Sequence, residues 1–149
     1  MDNQQERLIA DTNWLAAAWE SEGSFTLSKQ ELKKRCPRIR PICSIVNTDP
    51  DFVDAVISIL KRNNLAFYMF KRQSSGRRTR VDINIYGMKR VQRFLNFIIP
   101  CLRSKVERAK TLKSYVDYRL SQTKREYLGD FEMELYEKLK KLNAEGNCY

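Results

Sequence analysis

The chain has 149 residues, 42% of them hydrophobic, which is enough for a core within one domain covering residues 1–149. Its 28 lysines and arginines outnumber 18 acids, for a net charge of +10. The sequence contains no histidine, which excludes Ser-His hydrolases, nucleases with a histidine general base and most histidine-based metal sites. Any catalysis must therefore rest on carboxylates, amides, lysines and metal ions.

The positive charge favours a polyanionic partner, because neutralised phosphates release condensed counterions. Nucleic acid is the first expectation and an anionic membrane surface the second. No apolar stretch of about 18 residues and no signal peptide is visible, which predicts an intracellular protein of the cytoplasm, the nucleoid or an organelle. The cysteines lack CxxC spacing and are expected to be free thiols rather than zinc ligands. They are Cys36, Cys43, Cys101 and Cys148.

The first predicted element is a short helix that begins at the N-cap candidates 11–13 and ends near Gly23. Ala17 and Ser21 lie four residues apart on one side of this helix, so a second helix could approach closely. Glu22 lies where the helix must end. Two such helices would therefore bring two carboxylates together.

Two strands of alternating polarity follow the helix. Phe25 and Leu27 alternate with polar residues in the first strand, and Ile39, Cys43 and Ile45 lie on one side of the second. A basic segment, KKRCPR, joins the strands. The pattern predicts a β-hairpin with one face in the core and one polar face in solvent.

A helix and a second hairpin come next. Asp49 is the candidate N-cap and Pro50 suits the first helical position, so we expect a helix that stops near Asn63. Strands over about 66–72 and 77–86, with a turn rich in serine and glycine between them, form the second predicted hairpin.

Helices complete the predicted chain. The first covers about 88–99, and Ser104 with Glu107 forms a candidate capping box for a longer helix to about Thr123. The last covers about 130–143. The order predicts an α+β fold, αββαββα, in which two helix-hairpin units build one four-stranded antiparallel sheet backed by helices.

Polar and basic side chains collect on the predicted outward faces and loops of both hairpins. Arginine can bind guanine, glutamine and asparagine can bind adenine, aspartate can accept from cytosine, and a β-ribbon fits the major groove. A solvated outer face with no partner is the alternative, since exposed strand faces are polar in any case. The strand positions expected to contact DNA are Ser24, Thr26, Ser28, Gln30, Arg38, Arg40, Ser44, Arg80, Asp82 and Asn84. Arg72 is a further expected contact, although the alternation does not decide which face of its strand carries Tyr68, Phe70 and Arg72. The expected contacts in the loops are Lys34, Arg77 and Arg78, and Lys33 and Arg35 add charge nearby.

Glu22 has the same parity as this outward face, since it lies an even number of positions before Ser24 and Gln30. That position suits a metal-dependent nuclease, because Mg²⁺ needs only one or two carboxylates and phosphate oxygens and can activate water. The alternative is that Glu22 is a helix-end acid with no chemistry.

Residues 15–23, LAAAWESEG, resemble the nine-residue motif of the LAGLIDADG homing endonucleases, and Ser24-Phe25 resembles its continuation into the first strand. The resemblance covers most of the chain. Its further landmarks, in family order, are 45–49 (IVNTD), 94–95 (FL), 99–100 (IP), Lys105 and 141–143 (KLN). Three positions depart from the family pattern and affect the expected helix spacing: Ala17, Ala18 and Glu20.

The resemblance implies roles for four residues. Glu22 would bind the catalytic metal together with the backbone carbonyl of Ser21. Asn47 would orient the water network, and Lys105 would polarise the region of the scissile phosphate. The metal would be Mg²⁺, with Mn²⁺ or Ca²⁺ able to occupy the same sites.

A single motif resembles the homodimeric branch of the family. Trp14, Ala17 and Ser21 would then pack against their symmetry mates, and a twofold axis would supply the second carboxylate that one chain lacks. The alternative is that Trp14 and Ala17 face their own core.

The implied activity is a double-strand break, with short 3′ overhangs, in a long palindromic or pseudo-palindromic DNA site by Mg²⁺-dependent phosphodiester hydrolysis. The alternatives on the same fold are a maturase that binds intron RNA and a DNA-binding regulator that does not cleave. A third interpretation is a basic scaffold or ribonucleoprotein component.

Overall fold

The structure is a computed structural model that describes residues 2–34, 37–122 and 128–145. The described residues form five α-helices, four strands and a 3₁₀ turn at Ile99–Cys101. The helices are α1 (Asn3–Glu22), α2 (Pro50–Arg62), α3 (Met88–Ile98), α4 (Val106–Ser121) and α5 (Asp130–Glu145). The strands are β1 (Gly23–Gln30), β2 (Arg38–Asn47), β3 (Tyr68–Arg72) and β4 (Arg80–Tyr86). Among these helices, none has the length and apolar character that crossing a bilayer requires.

The strands form one antiparallel sheet in the order β1-β2-β4-β3, which confirms the predicted fold class. Side chains of Phe25, Ile45 and Ile83 point from one face of this sheet into a hydrophobic core that the helices complete. The two hairpins meet along β2 and β4, so the polar outer faces of both hairpins are continuous. Strand β3 lies at the edge, and all five of its residues are exposed.

Helix α1 is longer than predicted. It begins at Asn3, where the Asp2 carboxylate caps the helix by accepting a hydrogen bond from the Gln5 backbone N–H at 2.8 Å. The predicted start at 11–13 is wrong, because the polar segment before it is helical and Asp11 has a different partner. The predicted start of α2 is confirmed, with Asp49 as N-cap and Pro50 in the first turn.

The end of α1 at Gly23 is set by a bulky neighbour. Gly23 has extended backbone angles, so a left-handed conformation is not the reason for glycine there. A Cβ at this position would lie 2.4 Å from Cδ1 of Trp19, which is fully buried and packs on Phe94 with ring centroids 4.6 Å apart. Position 23 must therefore lack a side chain as long as Trp19 fills this part of the core.

The predicted capping box is wrong. Helix α4 begins at Val106 with Lys105 as its N-cap, no side chain of its own caps it, and the Ser104 hydroxyl is bonded to Glu20. The predicted end at Thr123 lies outside the described residues, as do Arg35, Cys36 and Cys148. Cys43 and Cys101 are free thiols, and burial raises the pKa of Cys43 well above its usual value.

A buried ion pair joins α1 to the end of α2. Asp11 is buried and accepts hydrogen bonds from Nε and Nη2 of Arg62 at 2.8 and 2.6 Å, and from Nδ2 of Asn63 at 3.0 Å. The hydrogen bonds from Arg62 lower the pKa of Asp11, with a smaller contribution from Asn63, although burial acts in the opposite direction. This pair anchors the first half of α1, and with it the direction in which the rest of the helix runs.

Replacing Asp11 with Asn should destabilise the fold by about 2 kcal/mol, because the Arg62 guanidinium loses its bidentate partner. Since the pKa of Asp11 is lower in the folded chain than its ordinary value of 3.8, its stabilising effect is present above that value and is lost as the pH falls below it. The free energies of unfolding of D11N and the wild type, measured by urea denaturation, should therefore differ less at acid pH than at neutral pH. The exposed Asp54→Asn on α2 is the control, and a difference that does not vary with pH would contradict the assignment.

Candidate active site and nucleic-acid interface

The junction of α1 and β1 places Glu22 at one end of the sheet. Glu22 is the last residue of α1, its side chain is exposed, and Gly23 opens β1 opposite Ile45 of β2. The last residues of β2 therefore run alongside the end of α1. Asn47, two positions beyond Ile45, ends β2 there, and its Oδ1 accepts a hydrogen bond from the Asp49 N–H at 2.8 Å. The structure thus brings Glu22 and Asn47 to the same end of the sheet.

Lys105 lies beneath this junction. Its ammonium group donates hydrogen bonds to the backbone carbonyls of Trp19 at 3.1 Å and Gly23 at 2.6 Å, where the negative end of the α1 dipole favours a cation. Burial and the nearby Arg108 lower the pKa of Lys105, while Glu20 and Glu22 act in the opposite direction. Glu22 and Lys105 are therefore within electrostatic reach of each other.

Glu20 has a structural role that the sequence did not reveal. Its carboxylate accepts hydrogen bonds from the backbone N–H groups of Ser104 and Lys105, both at 3.0 Å, and also from the Arg103 N–H and the Ser104 hydroxyl. Burial opposes ionisation of Glu20, but these hydrogen bonds together lower its pKa. Glu20 thus caps the start of α4 while Lys105 caps the end of α1. Each helix supplies the charge that the other helix end requires.

Replacing Glu20 with Gln should weaken the start of α4 and destabilise the fold by about 1–2 kcal/mol, because an amide presents a donor to N–H groups that need an acceptor. Urea denaturation measures the difference. Glu137→Gln on the exposed side of α5 is a matched control and should change stability little. Equal stability of the two variants would mean that the Glu20 cap contributes nothing.

The exposed side of α1 carries the residues predicted to form a dimer interface. Ala17 and Ser21 are exposed, and Trp14 is 38% exposed with its ring against Phe52 of α2. The Ser21 hydroxyl donates to the carbonyls of Ala17 and Ala18, both at 3.1 Å, so it folds back on its own helix. The alternative that Trp14 and Ala17 face their own core is wrong for Ala17, which is exposed, whereas the Trp14 ring does contact Phe52 of the same chain. This side of α1 therefore carries two small exposed residues, Ala17 and Ser21, beside the partly exposed Trp14.

The strand residues predicted to contact DNA share one face of the sheet. Directly paired residues of an antiparallel sheet point to the same side. Ser44 pairs with both Ser24 and Asn84, and its hydroxyl is hydrogen-bonded to that of Ser24 at 2.8 Å. The same register places the following residues on this outer face: Thr26, Ser28, Gln30, Arg38, Arg40, Arg80 and Asp82. The register also determines the direction of the alternate side chains of β3. Tyr68, Phe70 and Arg72 pair with Asn84, Asp82 and Arg80, so they face outward.

Asp82 requires a correction. It was predicted to accept from cytosine, but it is buried and its carboxylate is already paired. Arg80 Nε donates to its Oδ1 at 3.0 Å, and Arg72 Nε lies 3.4 Å from its Oδ2. Both arginine side chains remain more than half exposed. Asp82 therefore orients Arg72 and Arg80 and does not offer a free acceptor.

The loop between β3 and β4 adds positive charge at the same end of the sheet as Asn47. Arg77 and Arg78 line an open concavity of about 530 Å³ with Arg72 and Arg80, next to Thr48. In the other hairpin, Lys34 is exposed in the β1–β2 connection. Cationic loops thus flank the outer face at both ends, where a phosphate backbone could contact them.

The comparisons with solved structures show what this arrangement resembles. The chain matches the homing endonuclease I-CvuI in complex with a DNA target, with a TM-score of 0.70 over 91% of this chain and 83% of that chain. The sequence identity is 17%. The fold is that of the LAGLIDADG homing endonucleases.

Two more structures with the LAGLIDADG endonuclease fold match at similar levels. I-CeuI, a group I intron-encoded homing endonuclease complexed with DNA, gives a TM-score of 0.69 at 15% identity over 97% of this chain and 80% of that chain. The LAGLIDADG homing endonuclease I-GzeII in complex with a DNA target gives 0.65 at 15% identity, over 89% of this chain but 43% of that chain. No protein-family model and no curated protein matches the sequence. The LAGLIDADG fold expected from residues 15–23 is therefore confirmed at the level of structure.

Proposed function

We propose that the protein is a site-specific DNA endonuclease that makes a double-strand break in a long pseudo-palindromic site, with divalent metal, as a homodimer. The observation that carries this proposal is the junction of α1 and β1. There an exposed carboxylate, Glu22, stands at the edge of a polar and cationic sheet face with the ammonium group of Lys105 beneath it. The solved structures with the same fold named above contain DNA.

The donor set at this junction fits Mg²⁺. No group of three or more acidic, cysteine or histidine residues that could enclose a metal occurs among residues 2–34, 37–122 and 128–145. Mg²⁺ does not require such a cage, since it retains waters and takes one or two carboxylates with phosphate oxygens. Glu22 and the Ser21 carbonyl would hold it, and it would supply activation of water and stabilisation of the leaving oxygen. I-CvuI was solved in the presence of Mg and of Ca.

The chain's own residues would position the reacting groups. Asn47 keeps its side-chain NH₂ group for donation, because its Oδ1 is occupied by the Asp49 N–H. That amide would orient a water beside the scissile phosphate. Lys105, held at the end of α1, would place positive charge close to the same phosphate and favour the charge that develops on its oxygens.

Two copies of the chain would complete the site. Each copy would contribute one Glu22 at the end of α1, and the small exposed residues Ala17 and Ser21, beside Trp14, would allow two helices to pack closely. The chain covers 83% of I-CvuI and 43% of I-GzeII, so the same fold occurs in a chain of similar length and in one about twice as long. A twofold dimer would give a sheet to each half of a palindromic site.

Replacing Glu22 with Gln should reduce Mg²⁺-dependent cleavage by about a thousandfold and leave DNA binding intact, because the amide loses the charge that holds the metal. The substrate is a duplex recovered by selecting cut sites from a random library. Glu137→Gln on α5 is the charge-matched control and should cleave as the wild type does. Full cleavage by E22Q would exclude Glu22 as a metal ligand.

Replacing Ala17 with Lys should convert the dimer to a monomer, since two added ammonium groups would meet at the twofold axis. Sedimentation velocity measures the assembly, and the cleavage assay should show loss of double-strand breaks. Ser58→Lys at an exposed position of α2 adds the same charge away from α1. A wild type that sediments as a monomer on its DNA, or an A17K variant that stays dimeric, would overturn the proposed assembly.

A further inference from the structure

Three aromatic side chains interrupt the polar outer face of the sheet. Tyr68 and Phe70 of β3 and Tyr86 of β4 form what we call the aromatic stripe. Tyr68 and Phe70 are 45% and 48% exposed, although large apolar side chains are usually covered. Ile42 pairs with Tyr86 across the sheet, so the stripe continues toward β2. This face therefore presents apolar surface as well as hydrogen-bonding groups.

The two tyrosines of the stripe are held in place. Their ring centroids are 5.6 Å apart, and the guanidinium of Arg40 lies 5.4 Å from the centroid of Tyr86. On the other side, Arg90 lies 5.4 Å from the centroid of Tyr68 and donates from Nη1 to its hydroxyl at 2.6 Å. Side chains fixed before binding lose little conformational entropy when a ligand arrives. The flanking arginines favour a polyanion over an apolar protein partner.

We propose that the aromatic stripe contacts the 5-methyl groups of thymines in the major groove of each half-site, and so makes thymine the preferred base there. This rests on the proposed function as a DNA endonuclease. On the floor of the major groove, the thymine methyl is the apolar feature that distinguishes one base pair from another. Ring carbons such as those of Phe70 can recognise it and cannot recognise a donor or acceptor. The same contact would favour DNA over RNA, since uracil lacks this methyl group.

The register of the sheet locates these thymines within the half-site. One row across the sheet contains Ser24 and Tyr68. The next row toward Glu22 contains Val46, Asp82 and Phe70. Gln30 and Arg38 pair at the opposite end of β1 and β2. The thymines should therefore lie in the part of each half-site next to the cut, and the bases read by the polar row of Gln30 should lie farther out.

The test replaces thymine by deoxyuridine, which removes only the methyl group. The wild type first selects the duplexes that it binds from a random library, in EDTA so that they are not cleaved, and these duplexes are sequenced. Each thymine of a selected site is then replaced by deoxyuridine, one at a time. At one or more thymines per half-site, the replacement should weaken wild-type binding about three- to fivefold. Phe70→Ala should lose this sensitivity at its position, whereas Phe131→Ala, at a 45% exposed phenylalanine of α5, should retain it.

Several results would overturn the proposal. One is tolerance of deoxyuridine at every thymine of a site that the wild type still cuts in Mg²⁺, which would leave the endonuclease function standing. Failure to enrich any duplex would reject that function as well. If the wild type bound single-stranded RNA more tightly than duplex DNA, and F70A lost this preference, the stripe would instead stack on unpaired bases. A change of sedimentation in F70A without DNA would assign it to contact between copies of the chain.

Discussion

The reciprocal capping of two helix ends determines the arrangement of the site. Glu20, near the end of α1, supplies negative charge to the N–H groups of Arg103, Ser104 and Lys105. Lys105 supplies positive charge to the carbonyls of Trp19 and Gly23, at and just after the end of α1. The N–H groups ahead of α4 need acceptors, and the negative end of the α1 dipole favours a cation. One contact pair therefore sets where Glu22 leaves the helix and where Lys105 lies beneath it. The sheet, which begins one residue later, inherits that geometry.

The fold was accessible from the sequence because its signals are local. Alternation of apolar and polar residues gave the strands and their inward faces, and Asp49 with Pro50 gave the start of α2. The outward face of β1 and β2 followed from counting by twos, since a strand alternates strictly. Residues Tyr68 and Phe70 could not be placed in this way, because an edge strand that is exposed on both sides carries no contrast of polarity. Only the pairing with β4 determined their direction.

Long-range pairing explains what the sequence could not reveal about the site. Asp11 looked like a helix start because it is a good N-cap residue, but its partner Arg62 is distant along the chain. Asp82 looked like a reader of bases until the two arginines on its flanks were seen to occupy it. Glu20 is the third case, since its four donors lie about eighty residues later. In each case the residue type alone did not reveal the role, because nothing in a single sequence marks which distant donor will pair with a given carboxylate.

The separation of the two sheet faces has a consequence for how such a protein can change. Core side chains such as Phe25 and Ile83 alternate with the outward ones, so a substitution on the outer face leaves the hydrophobic core intact. Under the proposed function, recognition of a new DNA sequence can then accumulate by single replacements without passing through unfolded intermediates. Asp82 is the exception, because it is buried beneath two arginines and a replacement there would release both. Substitutions should therefore be tolerated more readily on the outer faces of β1 and β2 than around Asp82.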